Sequence, residues 1–124
     1  MSRKIRLLLI FTVILCLSFT FIPNNVYAAS KTQATDFVTR FYTYILERNP
    51  DSAGLESNVN QLLKNQVTGA QVAYNFVFSA EFTAKSKSNE DYVDILFRAC
   101  FNREADSAGF NNWVNLLKKG YSRQ

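Results

Sequence analysis

The chain contains no histidine. That absence removes Ser-His-Asp and Cys-His catalysis and the common zinc sites, which need an imidazole as base or ligand. Cysteine is nearly absent too: Cys16 lies in an N-terminal apolar run and Cys100 far downstream. If that run is removed by processing, Cys100 has no partner in the chain, and an intramolecular disulfide framework is excluded. Cys100 falls where the other copy of a repeat carries Ile45, so it reads as a small buried hydrophobe; an intermolecular disulfide is the functional alternative. No block of like charges follows residue 30, and no stretch alternates apolar and polar residues as a half-buried strand would.

What is present begins with export chemistry. Arg3, Lys4 and Arg6 precede an apolar run from Leu7 to Ile22, and Val26-Tyr27-Ala28 places small residues at the −3 and −1 positions of a cleavage site. This is the three-part pattern of a secretory signal peptide cleaved after Ala28. The run is shorter than the about 20 apolar residues of a spanning helix. Ile14-Leu15 before Cys16 lacks the small residue of a lipoprotein site. The formal charge of +4, less the three cations Arg3, Lys4 and Arg6, leaves +1 for the mature chain. The basic balance is therefore an export feature and does not indicate nucleic-acid binding. Removing 28 residues from 124 leaves 96, one small domain that must build its core from packing alone.

The mature chain is organised around a repeat. Arg48-Asn49-Pro50-Asp51-Ser52-Ala53-Gly54 returns as Arg103-Glu104-Ala105-Asp106-Ser107-Ala108-Gly109, at an offset of 55 that also pairs Val38 with Val93, Val59 with Val114 and Leu62 with Leu117. A repeat sets the architecture before anything else is read. Asp51 and Asp106 are natural N-caps, and Pro50 disfavours helix at Asn49. Gly54 and Gly109 fall at the third helical position, where glycine costs stability, so close backbone packing is the expected reason for them.

Apolar periodicity predicts a helix from about Asp36 to Glu47 and a second from Ser52 to about Lys64. A third, opened by the capping box Thr68-Gly69-Ala70-Gln71, carries Val72, Ala73, Phe76 and Val77. A short turn of helix can follow at Ser79-Ala80-Glu81-Phe82. In the second copy a helix runs from about Glu90 to Phe101, capped by Ser88 or Asn89. A last helix after Asp106 carries Phe110, Trp113, Val114 and Leu117, with Gly120 suited to its C-terminal cap. The fold class is all-α, a small helical tandem repeat of about five helices. The expected boundaries are 1–28 signal peptide, 29–35 polar lead-in, 36–85 first repeat, 86–89 connection and 90–124 a second, incomplete repeat. After Gly120 no counterpart of Val72, Phe76 and Phe82 follows. A repeat unit buries its apolar face only against a neighbour. Some of Phe97, Phe110, Trp113 and Leu117 are therefore expected to lack cover, unless the first unit or a second molecule supplies it.

No cofactor, metal or catalytic residue is expected. The two motif copies have a faint likeness to a calcium loop, but the fifth position is Ala53 or Ala108 and the twelfth is Asn60 or Asn115, where such a loop needs oxygen ligands and a bidentate acid. Asp36, Glu90, Asp91 and Asp94 sit in first turns, where acids are favoured. Glu47, Glu56, Glu81 and Glu104 have no assignment, and no spacing pairs them as a hydrolase would need. The many aromatics lie mostly at helical spacing and read as core; Tyr44 and Tyr74 fall off the stripe and are the rings available as a platform for sugar or peptide.

The pattern Tyr42-x-x-Ile45-Leu46-x-Arg48-x-Pro50-Asp51-x-x-Gly54-Leu55, together with Phe76-x-x-Ser79-x-Glu81-Phe82 and Phe97-x-x-x-Phe101-x-Arg103-x-x-Asp106-x-x-Gly109-Phe110-x-x-Trp113, resembles a bacterial family catalogued as domain of unknown function 4214. The resemblance covers about Asp36 to Gln124. A more distant likeness, through the Arg-x-x-Asp-x-x-Gly connection, is to the helical linker domain of phycobilisomes. Asn58 stands where the second copy has Trp113, and Ala105 replaces Pro50. Members of the family occur in exported or cell-surface proteins and have no assigned catalytic residues. The resemblance implies a non-catalytic binding or scaffolding module, secreted or at the cell surface, with a cell-envelope glycan or protein as partner. A self-associating structural spacer and an uncharacterised carbohydrate-active enzyme are the alternatives.

Overall fold

The computed structural model describes residues 30–124. The expected signal peptide (1–28), the expected cleavage after Ala28, and Cys16 lie outside the described residues. Helix α1 spans Lys31–Arg40 and runs without a break into a π-helical segment, Phe41–Leu46. Helices α2 (Ser52–Leu63), α3 (Gly69–Val77), α4 (Ala80–Thr83), α5 (Asn89–Phe101) and α6 (Ser107–Lys118) follow. No strand occurs among the described residues, and the chain is all-α.

The first helix begins five residues before the Asp36 start that periodicity suggested. Ser30 and Gln33 form a reciprocal capping box, the Ser30 hydroxyl accepting from the Gln33 amide at 3.2 Å and the Gln33 side chain accepting from the Ser30 amide at 2.9 Å. The stretch read as a polar lead-in, 29–35, is therefore largely the first turns of α1, with Ala34 already buried. Polar composition hid it, because a first turn that faces water has no apolar stripe to show. The predicted Thr68 cap is present with its Gln71 box, and Ser88, rather than Asn89, caps α5. The short helix suggested at Ser79 is α4, capped by the Ser79 hydroxyl.

The helix ends repeat as faithfully as the caps. Asn65 and Gly120, one repeat apart, both take positive φ (54° and 86°). Each closes its helix by the same pair of bonds: Asn65 N–H to Leu62 C=O and Gln66 N–H to Gln61 C=O, then Gly120 N–H to Leu117 C=O and Tyr121 N–H to Leu116 C=O. Glu47 and Asn102, also one repeat apart, leave the preceding helices through φ of 57° and 52°. The copies differ in what precedes that turn: π-helical in the first, α-helical in the second.

The core sits around α1 and the π segment. Val38, Phe41, Ile45 and Val72 are its most deeply buried large side chains. Helix α1 packs on α2 and α5, the π segment on α3, α4 and α5, and α5 on α6. The Arg40 Nε–H donates to the Ala99 carbonyl at 3.1 Å, joining the units where Ala99 is wholly buried. This docking answers the question of cover. Phe97 and Leu117 are buried, and Phe110 and Trp113 are half-buried against the core. Tyr74 is the one exposed large hydrophobic side chain among the described residues. Cover for these four residues comes from packing within the chain, the first unit supplying part of it: α5 docks on α1 and the π segment, and α6 on α5.

Ala99→Leu should force a larger side chain into this joint and cost about 1–3 kcal/mol. Chemical denaturation that gives wild-type stability for this variant would show that the units do not meet at Ala99.

Candidate functional site

The repeated Arg-x-x-Asp-x-x-Gly motif builds a corner between two helices. In the first copy Asp51 accepts from the Gly54 amide at 2.7 Å and lies 3.5 Å from Arg48 Nη1. Arg48 stacks over the Tyr42 ring at 5.0 Å and grips both oxygens of Glu81, at 2.8 and 3.2 Å. That fork reaches across 33 residues and pins α4 to the corner. In the second copy Asp106 accepts from the Gly109 amide at 2.8 Å, with Arg103 Nη1 at 3.8 Å. Arg103 lies over Phe97 and Phe101, and its side-chain hydrogen bond goes to the Glu104 carbonyl at 3.2 Å. The six motif residues therefore form two separate corners, one per unit, and do not converge on one pocket.

The two glycines have different reasons. A Cβ on Gly54 would stand 2.3 Å from the Tyr42 hydroxyl and 2.9 Å from the Asp51 carboxylate, an impossible approach. A Cβ on Gly109 would meet nothing closer than its own cap, Asp106, at 3.3 Å. The repeat explains the difference: Phe97 occupies the position of Tyr42 and has no hydroxyl. The Tyr42 phenol is pushed up by burial and then by the Asp51 carboxylate beside it. Asn58, which stands where the second copy has Trp113, bonds back to the Gly54 carbonyl at 2.9 Å.

Most of the carboxylates are engaged in ion pairs or caps; Glu56 is exposed and outside these pairs. Glu47 accepts from Lys87 and Lys85, Glu104 from Arg98, and Glu90 lies 2.7 Å from Lys118. The Gly54 and Gly109 amides hold Asp51 and Asp106 below the usual carboxylate range, aided by Arg48 and Arg103; Arg48 does the same to Glu81, Lys87 and Lys85 to Glu47, and Lys118 to Glu90. Among the described residues no three Cys, Asp or Glu side chains gather as a metal would require. Burial pushes the Cys100 thiol up to about 12, with Arg40 opposing, so little thiolate forms at neutral pH.

Sequence reading did not find the surface that is concave. A cleft of about 300 Å³ lies between the end of α3, α4, the start of α5 and the C-terminal residues. Val77, Phe78 and Phe82 form its apolar side, and Tyr92, Lys87 and Arg123 border it. Tyr74 packs on Phe78 at 4.6 Å from ring to ring and stays 45 % exposed. Of the two off-stripe tyrosines, Tyr44 is half-buried against the core, so the platform role is open to Tyr74 and not to Tyr44. The cleft draws on three separate stretches of chain, and no local periodicity could have signalled it.

Two outcomes follow from this geometry. Gly54→Ala should be destabilising, and Tyr42→Phe should recover part of the loss, because it deletes the nearest clashing oxygen while the Asp51 contact remains. Gly109→Ala should stay within about 1 kcal/mol of wild type, since the helix gains from alanine what the tight cap contact costs. Equal losses at both glycines in thermal melts would contradict the Tyr42 explanation.

The second outcome is a pH profile. A carboxyl whose folded pKa is lowered adds stability that is complete above its ordinary value, 4.5 for Glu and 3.8 for Asp, and is lost as pH falls through the folded value. With no histidine in the chain, the melting temperature should be flat between about pH 7 and 5 and fall below that. A decline that starts between pH 7 and 5 would place the controlling groups elsewhere.

No curated protein and no solved structure matches the chain, so the likeness to the phycobilisome linker rests on the Arg-x-x-Asp-x-x-Gly connection alone. The profile of one family matches twice, over residues 17–86 and 73–124. Those matches take in both corner motifs and the helices they join, and the chain belongs to the family described as domain of unknown function (DUF4214).

Proposed function

We propose that the mature protein is an exported, non-catalytic binding or scaffolding module, working at the cell surface or outside the cell, with a cell-envelope glycan or a protein as partner. The observation that carries this reading is the Tyr74–Phe78 pair standing beside the cleft. An exposed ring supported from behind by a second ring is rigid, and it offers apolar area at little entropic cost. Glu47, Glu81, Glu90 and Glu104 are each held in an ion pair, a setting that suits a structural role better than acid–base catalysis. Export rests on the N-terminal sequence pattern described above.

Binding to a panel of envelope polysaccharides and surface proteins tests the reading. The mature wild type should be retained, and Tyr74→Ala should bind at least about fivefold more weakly at an unchanged melting temperature. Concentration-dependent self-association with no retention on any partner would favour the structural spacer. Turnover of a glycan would replace this reading with an enzyme.

A further inference from the structure

Arg123 is held in the cleft wall in a way that surface arginines usually are not. Its guanidinium lies 4.5 Å from the centroid of the Tyr92 ring. Its Nη2 donates to the Lys87 carbonyl at 2.8 Å and to Asn89 Oδ1 at 2.7 Å. These contacts fix the group while leaving Nε and Nη1 without a protein acceptor among the described residues. A guanidinium already ordered by stacking and hydrogen bonds has little entropy left to lose when it takes an anion. The Tyr92 ring beneath it is buried and lies nearly parallel to Phe82, 6.2 Å away and tilted by 28°.

Cations outnumber anions near the cleft. Lys85, Lys87 and Arg123 are offset by Glu47, which pairs with both lysines. The local balance favours an anion, although the mature chain as a whole is close to neutral. Beside these cations the cleft wall is apolar, through Val77 and Phe82, and Ser122 adds a hydroxyl. Its volume of about 300 Å³ is at the lower end of small-molecule sites, which run from roughly 300 to 1,000 Å³.

A ligand suited to all of these features carries a carboxylate on a compact ring that has one apolar face and several hydroxyls. We infer that the cleft binds a hexuronate unit of an acidic polysaccharide, with the carboxylate on Arg123 and the ring against the cleft's apolar side, where Phe78 is half-buried. The inference rests on the binding-module reading and names the substrate class for it. Neutral sugars fill the same volume but leave the Arg123 donors unanswered, which is where the discrimination comes from.

Tetragalacturonate, tested beside its methyl ester by calorimetry and by NMR of the mature protein, decides the matter. The acid should bind and the ester should not, because the ring is the same and only the charge is removed. Binding should weaken with added salt. Arg123→Gln should weaken it by about tenfold or more, the usual loss of a charged hydrogen bond, while Lys64→Gln leaves it unchanged. Because Arg123 also ties down the C-terminal residues, the ring resonances of Tyr92 and Phe82 in the wild type give an independent readout, and they should shift with the acid alone. Equal binding of acid and ester, or shifts confined to Tyr74, would overturn the uronate site and leave the broader reading standing. No binding to either sugar or to any partner on the panel would end both.

Discussion

The packing of this protein turns on one buried segment, Phe41–Leu46. Phe41, Tyr42, Ile45 and Leu46 are all buried, and the segment meets α3, α4 and α5 as well as the end of α1. A helix hidden on nearly all sides has to satisfy several neighbours at once. Phe41 and Tyr42 both meet Phe76 of α3, at ring distances of 5.5 and 4.9 Å, so two successive residues share one partner. The wider π turn is found where this crowding occurs, whereas α5, with fewer elements around it, stays α-helical over the matching residues.

From that segment the order of construction follows. Tyr42 points its hydroxyl at the next corner, and Gly54 gives it room. Arg48 then covers the Tyr42 ring and takes Glu81, which fixes α4. With α4 in place Phe82 meets Tyr92, and Tyr92 in turn carries Arg123. The cleft is thus the far end of a chain of aromatic and guanidinium contacts that starts in the core. Exposed ion pairs contribute little stability singly, so their value here is in orientation.

Much of this was legible in the sequence where the cause was local. The caps at Asp51, Thr68 and Asp106, the stop before Pro50 and the turn at Gly120 each depend on a few adjacent residues and are readable, and the α5 cap is narrowed to Ser88 or Asn89. Ser30 was missed because its helix starts on polar residues, and the π segment because the same residues satisfy an α pattern. Pairings such as Arg48 with Glu81, or Arg123 with Tyr92, span 33 and 31 residues, as the numbering shows. No periodicity encodes them. The source of cover for the second stripe stays open in the sequence for a related reason: the docking of α5 on α1 is a tertiary contact between units, and a repeat read as isolated copies cannot show it.

The two corners show how far a repeat constrains its copies. Cap, glycine, helix end and aromatic-stacked arginine recur at an offset of 55, because all are decided within one helical hairpin. What each corner meets beyond its hairpin has diverged. In the first, a phenol replaces a phenyl, the glycine becomes sterically obligatory and the arginine is spent on Glu81. In the second, Phe97 relaxes the glycine, and Arg103 bonds only locally, to the Glu104 carbonyl and near Asp106. The first corner is therefore tied to α4 through Glu81, while the second bonds only within its own hairpin, its guanidinium over two aromatic rings. The shared motif builds the hairpin; the residues it meets beyond the hairpin decide what each one holds. The cleft and the exposed Tyr74 ring lie among those outer residues, away from the two corner motifs.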